Sequence, residues 1–255
     1  MLQYWIAYRT LAGREIHRFL RIWPQTLLPP LVTTSLYFLI FGALMGPRIG
    51  PMGGVHYMDY IVPGIVLMAV INHSYANVVS SFFSAKFQRH IEEVLIAPMP
   101  SWVILAGYVT GGMFRGLLIG AMVLGVALLF THPHISHPAL AVVMAVLTSL
   151  LFSLAGLINA TFANSFDDIS IVPNFILTPL VYLGGVFYSV KLLPPTWHTL
   201  SLFNPILYMI NAFRFGFLGI ADVAVDTAFL LVGAMIMGLG GIAWWLLHRG
   251  VGIKH

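Results

Sequence analysis

Long apolar stretches separated by short polar segments form the dominant pattern along this chain. No Asp, Glu, Lys or Arg occurs between Arg115 and Asp167, and shorter charge-free intervals lie at 22–47, 60–85, 169–190 and 227–248. A helix needs about 20 apolar residues to cross a hydrocarbon core of about 30 Å. The pattern therefore predicts an all-α membrane protein, in which the polar turn 131–138 divides the longest interval. The six predicted spans are 24–45, 60–83, 103–130, 138–162, 169–188 and 227–247.

The polar segment before the first span, residues 2–23, predicts an amphipathic helix that lies on the membrane surface. Its apolar stripe consists of Trp5, Tyr8, Ala12, Ile16, Phe19 and Trp23. Arg14, Arg18 and Arg21 fall on the opposite side, as expected for a helix at the lipid interface. The arginines could anchor the helix among lipid headgroups or dock it against a cytoplasmic partner, and both alternatives stay open.

Between the second and third spans lies the most polar stretch of the chain, residues 84–100. Phe87 and Ile91 share one helical face, Lys86 and Arg89 share another, and prolines end the segment at 98 and 100, so a short amphipathic helix is predicted. The mixed charges are compatible with a solvated loop stabilised by pairs at i,i+4, and equally with a docking surface.

The connection between the fifth and sixth spans is too apolar for an ordinary aqueous loop. Glycines and prolines divide it into pieces that are each too short to cross a membrane, which predicts short re-entrant helices. The residues that mark these breaks are Gly184, Gly185, Tyr188, Pro194, Asn204 and Pro205. A seventh span across 192–213 is the alternative, but it would place the two termini on opposite sides of the membrane.

Composition and charge support a membrane protein and exclude several functions. Only 8% of the residues are charged and 59% are hydrophobic, so the chain cannot cover a soluble surface. With the N-terminus inside, eight basic residues fall on the cytoplasmic side and three (Arg48, Lys191 and Arg214) on the other, which predicts two cytoplasmic termini. Since these basic residues flank membrane ends, we expect no nucleic-acid binding.

The catalytic and metal-binding signatures that we considered are missing from the sequence. It has no phosphate-binding Gly-x4-Gly-Lys-Ser/Thr loop, no His-Glu-x-x-His, no Gly-x-Ser-x-Gly and no cysteine. We therefore expect neither an enzyme nor ATP hydrolysis by this chain. His132, His134 and His137 lie in one short loop, but no carboxylate is near them in sequence, so we predict no metal site.

Two ionisable side chains fall inside predicted spans, Arg115 and His73. A buried arginine lines a polar pathway, meets a partner or reaches towards an interface. Gly111 and Gly112 precede Arg115 on a face of small residues typical of close helix packing. His73 is predicted to be a hydrogen-bonded interior histidine. The spans contain no central carboxylate, which argues against the alternative of a self-sufficient channel or secondary transporter; a non-transporting scaffold is a third interpretation.

An ordered set of short motifs resembles one known family along essentially the whole chain. The motifs are Tyr60-Ile61-Val62-Pro63-Gly64, Lys86-x2-Arg89-x2-Glu92-Glu93-x4-Pro98, Gly111-Gly112-x2-Arg115-Gly116, Phe166-Asp167-Asp168, Leu183-Gly184-Gly185-Val186-Phe187-Tyr188, Leu193-Pro194 and Asn204-Pro205-x2-Tyr208. In this order and spacing they resemble the membrane subunit of bacterial ABC-2 type ATP-binding-cassette exporters.

The resemblance implies one transmembrane domain over residues 1–255 that works in the bacterial inner membrane as a homodimer. Two separate ATPase subunits would bind ATP and Mg²⁺, and the chain itself would hold no cofactor. The family's coupling element corresponds to Lys86, Phe87, Gln88, Arg89, His90, Ile91, Glu92 and Glu93. The family's re-entrant helices, which cap the outer exit, correspond to about 189–222. A lipid, a hydrophobic drug or a lipid-linked glycan is the implied substrate.

Overall fold

The computed structural model describes residues 2–91, 99–132 and 135–252, and within these ranges it contains helices and turns but no strand. Two helices include a π-helical stretch, α2 (Trp23–Ile49) at Phe38–Met45 and α6 (Asp168–Leu183) at Val172–Leu177. The helices are α1 (Leu2–Arg21), α2 (Trp23–Ile49), α3 (Tyr57–Phe87), α4 (Ser101–Ala127), α5 (Pro138–Phe162), α6 (Asp168–Leu183), α7 (Pro195–Leu202), α8 (Pro205–Leu218) and α9 (Val225–Arg249).

Five of these helices, α2, α3, α4, α5 and α9, are long and apolar enough to cross a membrane. Each agrees within a few residues with a predicted span. The predicted fifth span, 169–188, corresponds to α6, which belongs with α8 to the shorter apolar helices. The count of six spans therefore stays a prediction.

Helix α3 forms the centre of the bundle. Its side chains from Tyr60 to Ile71 are all buried, as expected for a helix that is apolar on every face. Helix α4 packs closely on it because the two glycines at Gly112 and Gly116 face Val78 and Ser74 of α3.

The bundle has two ends that carry different elements. We call the first the α1 end, where α1 lies against α4 and the Tyr8 and Thr110 hydroxyls are 3.0 Å apart. At the opposite end, the Tyr57 hydroxyl donates to the carbonyl of Phe187 at 2.9 Å. The backbone of Val186 also approaches Gly64 so closely that a Cβ there would lie 2.7 Å from the Val186 carbonyl oxygen.

Between 192 and 218 the structure contains two short helices, α7 and α8, instead of one continuous helix over 192–213. That these helices are re-entrant stays a prediction. Helix α7 ends at Leu202, and Asn204 then caps α8, where its Oδ1 accepts from the Ile206 N–H at 3.0 Å. The Asn204 amide also donates to the carbonyl of Leu180 at 2.7 Å, which ties the start of α8 to α6.

Candidate functional site

The end of α3 differs from the predicted coupling helix. A separate short amphipathic helix was expected within 84–100, but α3 continues through Phe87 and the chain turns at Gln88 and Arg89. Arg89 has a φ of 62°, the left-handed conformation that closes many helices. Helical structure resumes at His90 and Ile91. The rest of the predicted element, Glu92 and Glu93, lies outside the described residues.

The side chains before this turn hold it against the rest of the protein. The Lys86 ammonium donates to the carbonyls of Thr161 and Ala163, each at 2.8 Å, and these carbonyls belong to the end of α5. The Phe87 ring packs 5.2 Å from the ring of Phe166, in the loop that follows α5. Lys86 and Phe87 therefore position the turn, although Phe87 is itself 60% exposed. Gln88, Arg89 and His90 are exposed and make no such contact within the described residues.

The loop between α5 and α6 is fixed by hydrogen bonds between Asp168, the first residue of α6, and the loop residues before it. Asp168 Oδ2 accepts from the Asn164 and Ser165 N–H groups at 2.8 and 3.1 Å, and the Asp168 N–H donates to Ser165 Oγ at 3.1 Å. Such a reciprocal arrangement is a capping box. The Asn164 N–H, followed by the Ser165 hydroxyl, lowers the pKa of Asp168 below its usual value.

Helix α1 docks on the bundle through a buried carboxylate that the sequence analysis did not identify. Glu15 is 2% exposed and accepts from the Ser81 hydroxyl of α3 and from Arg18 Nε at 3.3 Å. The Arg18 guanidinium also donates to the Asn77 side chain at 2.9 Å. A Cβ at Gly111 would lie 2.5 Å from Glu15 Cβ, so the absence of a side chain at Gly111 permits this contact.

The arginines of α1 are arranged differently from one another. Arg14 Nη2 lies 3.6 Å from the Glu15 carboxylate and donates to the Tyr108 hydroxyl at 3.2 Å. Arg21 is exposed. Arg14 and Arg18 thus bind protein groups instead of projecting freely, and together with Glu15 they attach α1 to α3 and α4.

Midway along α3, a polar cavity of about 300 Å³ opens between α2, α3 and α6. The Tyr37 and Tyr182 hydroxyls are 2.8 Å apart at its wall. The other polar side chains of the wall are Thr33, Thr34, Asn72, His73 and Thr178. His73, predicted as an interior histidine, therefore faces this cavity. These hydroxyl, amide and imidazole groups can hydrogen-bond a polar solute but carry no carboxylate.

Arg115 does not contribute to the wall of this cavity. It is partly buried in α4, one turn beyond Gly111, and its Nε has no hydrogen-bond partner within the described residues. Of the loop histidines, His137 stacks its ring on Phe215 at 5.1 Å, His132 is exposed, and His134 lies outside the described residues. Among residues 2–91, 99–132 and 135–252, no three His, Asp or Glu side chains are close enough to hold a metal.

At the end of the bundle opposite α1, the six residues predicted to interrupt the helices all lie between the end of α6 and the first residue of α8. Gly184 and Gly185 are buried directly after α6, Tyr188 is half-buried, and Pro194 precedes α7. Pro205 is the first residue of α8. A buried arginine, Arg214, anchors this segment, since its Nη2 donates to the Gly185 carbonyl at 2.6 Å.

Comparison with known proteins gives a consistent result over most of the chain. The family model described as "ABC-2 type transporter" matches residues 6–218. The inner membrane transport permease YadH of Escherichia coli K12 is 55% identical over 251 residues, which cover 98% of each chain. Nodulation protein J of Rhizobium leguminosarum bv. viciae is 23% identical over 227 residues, covering 88% of this chain and 87% of that protein.

Proposed function

The chain belongs to the ABC-2 type transporter family, and on this premise we propose that it forms the membrane pathway of an exporter driven by a separate ATPase. We place it in the bacterial inner membrane, as the name of its E. coli relative suggests. Two copies of an ABC ATPase would bind ATP and Mg²⁺ and dock at the α1 end, which we assign to the cytoplasm.

The observation that carries this proposal is the polar cavity between α2, α3 and α6. The paired hydroxyls of Tyr37 and Tyr182 lie on an exposed surface, and Asn72 beside them is midway along a spanning helix. Lipid tails offer no hydrogen bonds to such groups, so polar side chains at this depth face protein or a water-filled path. We infer that this surface faces a second copy of the chain, and that the substrate passes between the two copies.

We infer six passes through the membrane, and the positions of the two ends support this count. The end of α5 lies at the α1 end, where Lys86 binds it, whereas Val186 and Phe187 lie against Gly64 and Tyr57 at the opposite end. We infer that the intervening α6 runs from one end to the other. With six passes, both termini would be cytoplasmic, and α7 and α8 would lie at the outer side, where they would cap the exit.

Coupling would act through the exposed turn after α3. ATP-driven closure of the ATPase pair would push on Gln88, Arg89 and His90, and the predicted contact continues through Glu92 and Glu93. Because Lys86 and Phe87 fix this turn to the end of α5 and to Phe166, a push there reaches two spanning helices directly. Such differential contact would shift the population towards an outward-open state.

The substrate class that suits this pathway is an amphipathic molecule. The cavity wall combines hydroxyl and amide groups with the apolar residues Met68, Ala69 and Val181. A lipid, a hydrophobic drug or a lipid-linked glycan would match such a wall. To test the proposal, the chain is purified from native membranes, its ATPase partner is identified, and candidate lipids and glycolipids are screened for stimulation of ATP hydrolysis. Failure to recover an ATPase would contradict it.

The absence of cysteine makes the proposed interface directly testable. Thr33→Cys places a thiol at the polar cavity, and Leu230→Cys places one on α9, whose Leu230 is 75% exposed. In native membranes, a short bismaleimide should cross-link Thr33→Cys into a dimer and leave the Leu230→Cys control monomeric. Cross-linking through Leu230 but not Thr33 would place the interface elsewhere.

A further inference from the structure

A second polar cavity, of about 760 Å³, opens at the opposite end of the bundle. It lies between the start of α3, the segment after α6 and the connection from α8 to α9. Its polar wall consists of Tyr60, Ser189, Lys191, Asn211, Arg214 and Asp222. This cavity is separate from the proposed pathway between α2, α3 and α6.

The feature that demands an explanation is the guanidinium of Arg214. Arg214 is 1% exposed, and its Cζ lies 4.0 Å from the centre of the Tyr60 ring. One nitrogen donates to the Gly185 carbonyl, but Nε and Nη1 have no hydrogen-bond partner within the described residues. A buried cation is costly unless its donors are satisfied and its charge is balanced.

The carboxylate in the same cavity wall, Asp222, already binds other groups. Its Oδ2 accepts from the Ser189 hydroxyl at 2.8 Å and the Val190 N–H at 3.2 Å. Its Oδ1 lies 3.7 Å from the ammonium of Lys191. Within the described ranges, no carboxylate oxygen lies within 4.0 Å of Arg214, so the wall carries two cations for one carboxylate.

We propose that this cavity binds a phosphate group, with Arg214 in the wall and Lys191 at the mouth as its cationic partners. Arginine and lysine together satisfy the several acceptor oxygens and the negative charge of a phosphate. The Lys191 side chain is 63% exposed and reaches an incoming anion first. The rim also contains Ile49, Leu192 and Ile220, an apolar border that suits the headgroup of a phospholipid, although free phosphate has the same chemistry.

Two substitutions give opposite expectations. Lys191→Gln removes a cation at the mouth and should weaken phosphate binding about fivefold, the effect of one partly exposed charge contact. Asp222→Asn removes the competing negative charge while its amide oxygen still accepts from Ser189 and Val190, so binding should tighten by a similar factor. A merely structural role for the cluster would not produce opposite changes in affinity. Arg214→Gln should abolish binding if that variant folds.

The chain, purified and delipidated in a mild detergent, is titrated with each probe while its unfolding temperature is followed. The probes are inorganic phosphate and dihexanoyl phosphatidylglycerol, with dihexanoylglycerol and matched sodium chloride as controls. A saturable rise with the phospholipid alone identifies a headgroup site, and an equal rise with inorganic phosphate identifies a site for the free ion. The proposal would be overturned if neither probe raised the unfolding temperature above the controls. It would also be overturned if Lys191→Gln and Asp222→Asn changed the affinity for the probe in the same direction.

Discussion

The attachment of α1 to the bundle should depend on the buried carboxylate of Glu15. Glu15→Gln keeps the shape of the side chain but removes the charge that binds Arg18 and Ser81. A hydrogen bond to a charged group contributes about 1.5–3 kcal/mol. Because the Arg18 side chain is 36% exposed and partly screened, the lower end of that range applies, about 1.5–2 kcal/mol. For a chain of this size this corresponds to a fall of about 3–8 °C in the unfolding temperature.

The assay is thermal unfolding of the purified chain in mild detergent, with Arg9→Gln as the matched control. Arg9 lies on the same helix, is exposed, and makes no side-chain hydrogen bond within the described residues, so its replacement should cost under about 0.5 kcal/mol. Combining Glu15→Gln with Ser81→Ala should cost less than the sum of the two single changes, since both remove one contact. If Glu15→Gln and Arg9→Gln lowered the unfolding temperature equally, the proposed attachment through Glu15 would be refuted. Strict additivity of Glu15→Gln and Ser81→Ala would refute it as well.

Three further outcomes follow from the described contacts. Gly64→Ala should displace the Val186 backbone and lower stability by about 1–3 kcal/mol, while Gly125→Ala, with open space around its Cβ, should be nearly neutral; equal melting temperatures would contradict this. Lys86→Met should remove both bonds to the end of α5 and cost about 1–3 kcal/mol, which denaturant titration against wild type would measure. The pKa of Asp168 is lowered in the folded state, so the stabilisation by its carboxylate is fully present above about pH 3.9 and is lost as the pH falls through the lowered pKa. The difference in unfolding temperature between wild type and Asp168→Ala should therefore shrink as the pH falls through this window. A difference that stays constant would contradict the prediction.

The positions of the long helices could be predicted from the sequence because charged residues are costly in lipid and therefore rare within the spans. Helix α5 begins at Pro138 and ends at Phe162, as predicted, since a proline and a polar turn mark its boundaries. Helix α6 was harder to delimit. Its charge-free interval continues through Gly184 and Gly185, and an apolar pattern alone does not show that the helix ends before them.

The polar contacts between helices were harder to predict from the sequence. Glu15 lies four residues after Leu11 and four before Phe19, and this spacing on an apolar row was a signal that it would be buried. Arg214 is the single charged residue between Lys191 and Asp222, which marked it as unusual. The pairing of Tyr37 with Tyr182, by contrast, joins residues 145 positions apart, and no local pattern in one sequence predicts such a contact.

We propose that this chain transports only when an ATPase is docked at the turn after α3. The most direct measurement is ATP-dependent export by proteoliposomes that contain the chain and its co-purified ATPase, with Arg89→Glu compared with Arg48→Glu. Both residues are exposed and the charge change is the same, but Arg48 lies at the opposite end. We predict that Arg89→Glu loses the ATPase and export while Arg48→Glu keeps both. Full export by Arg89→Glu, or transport by the chain without any ATPase, would contradict the claim.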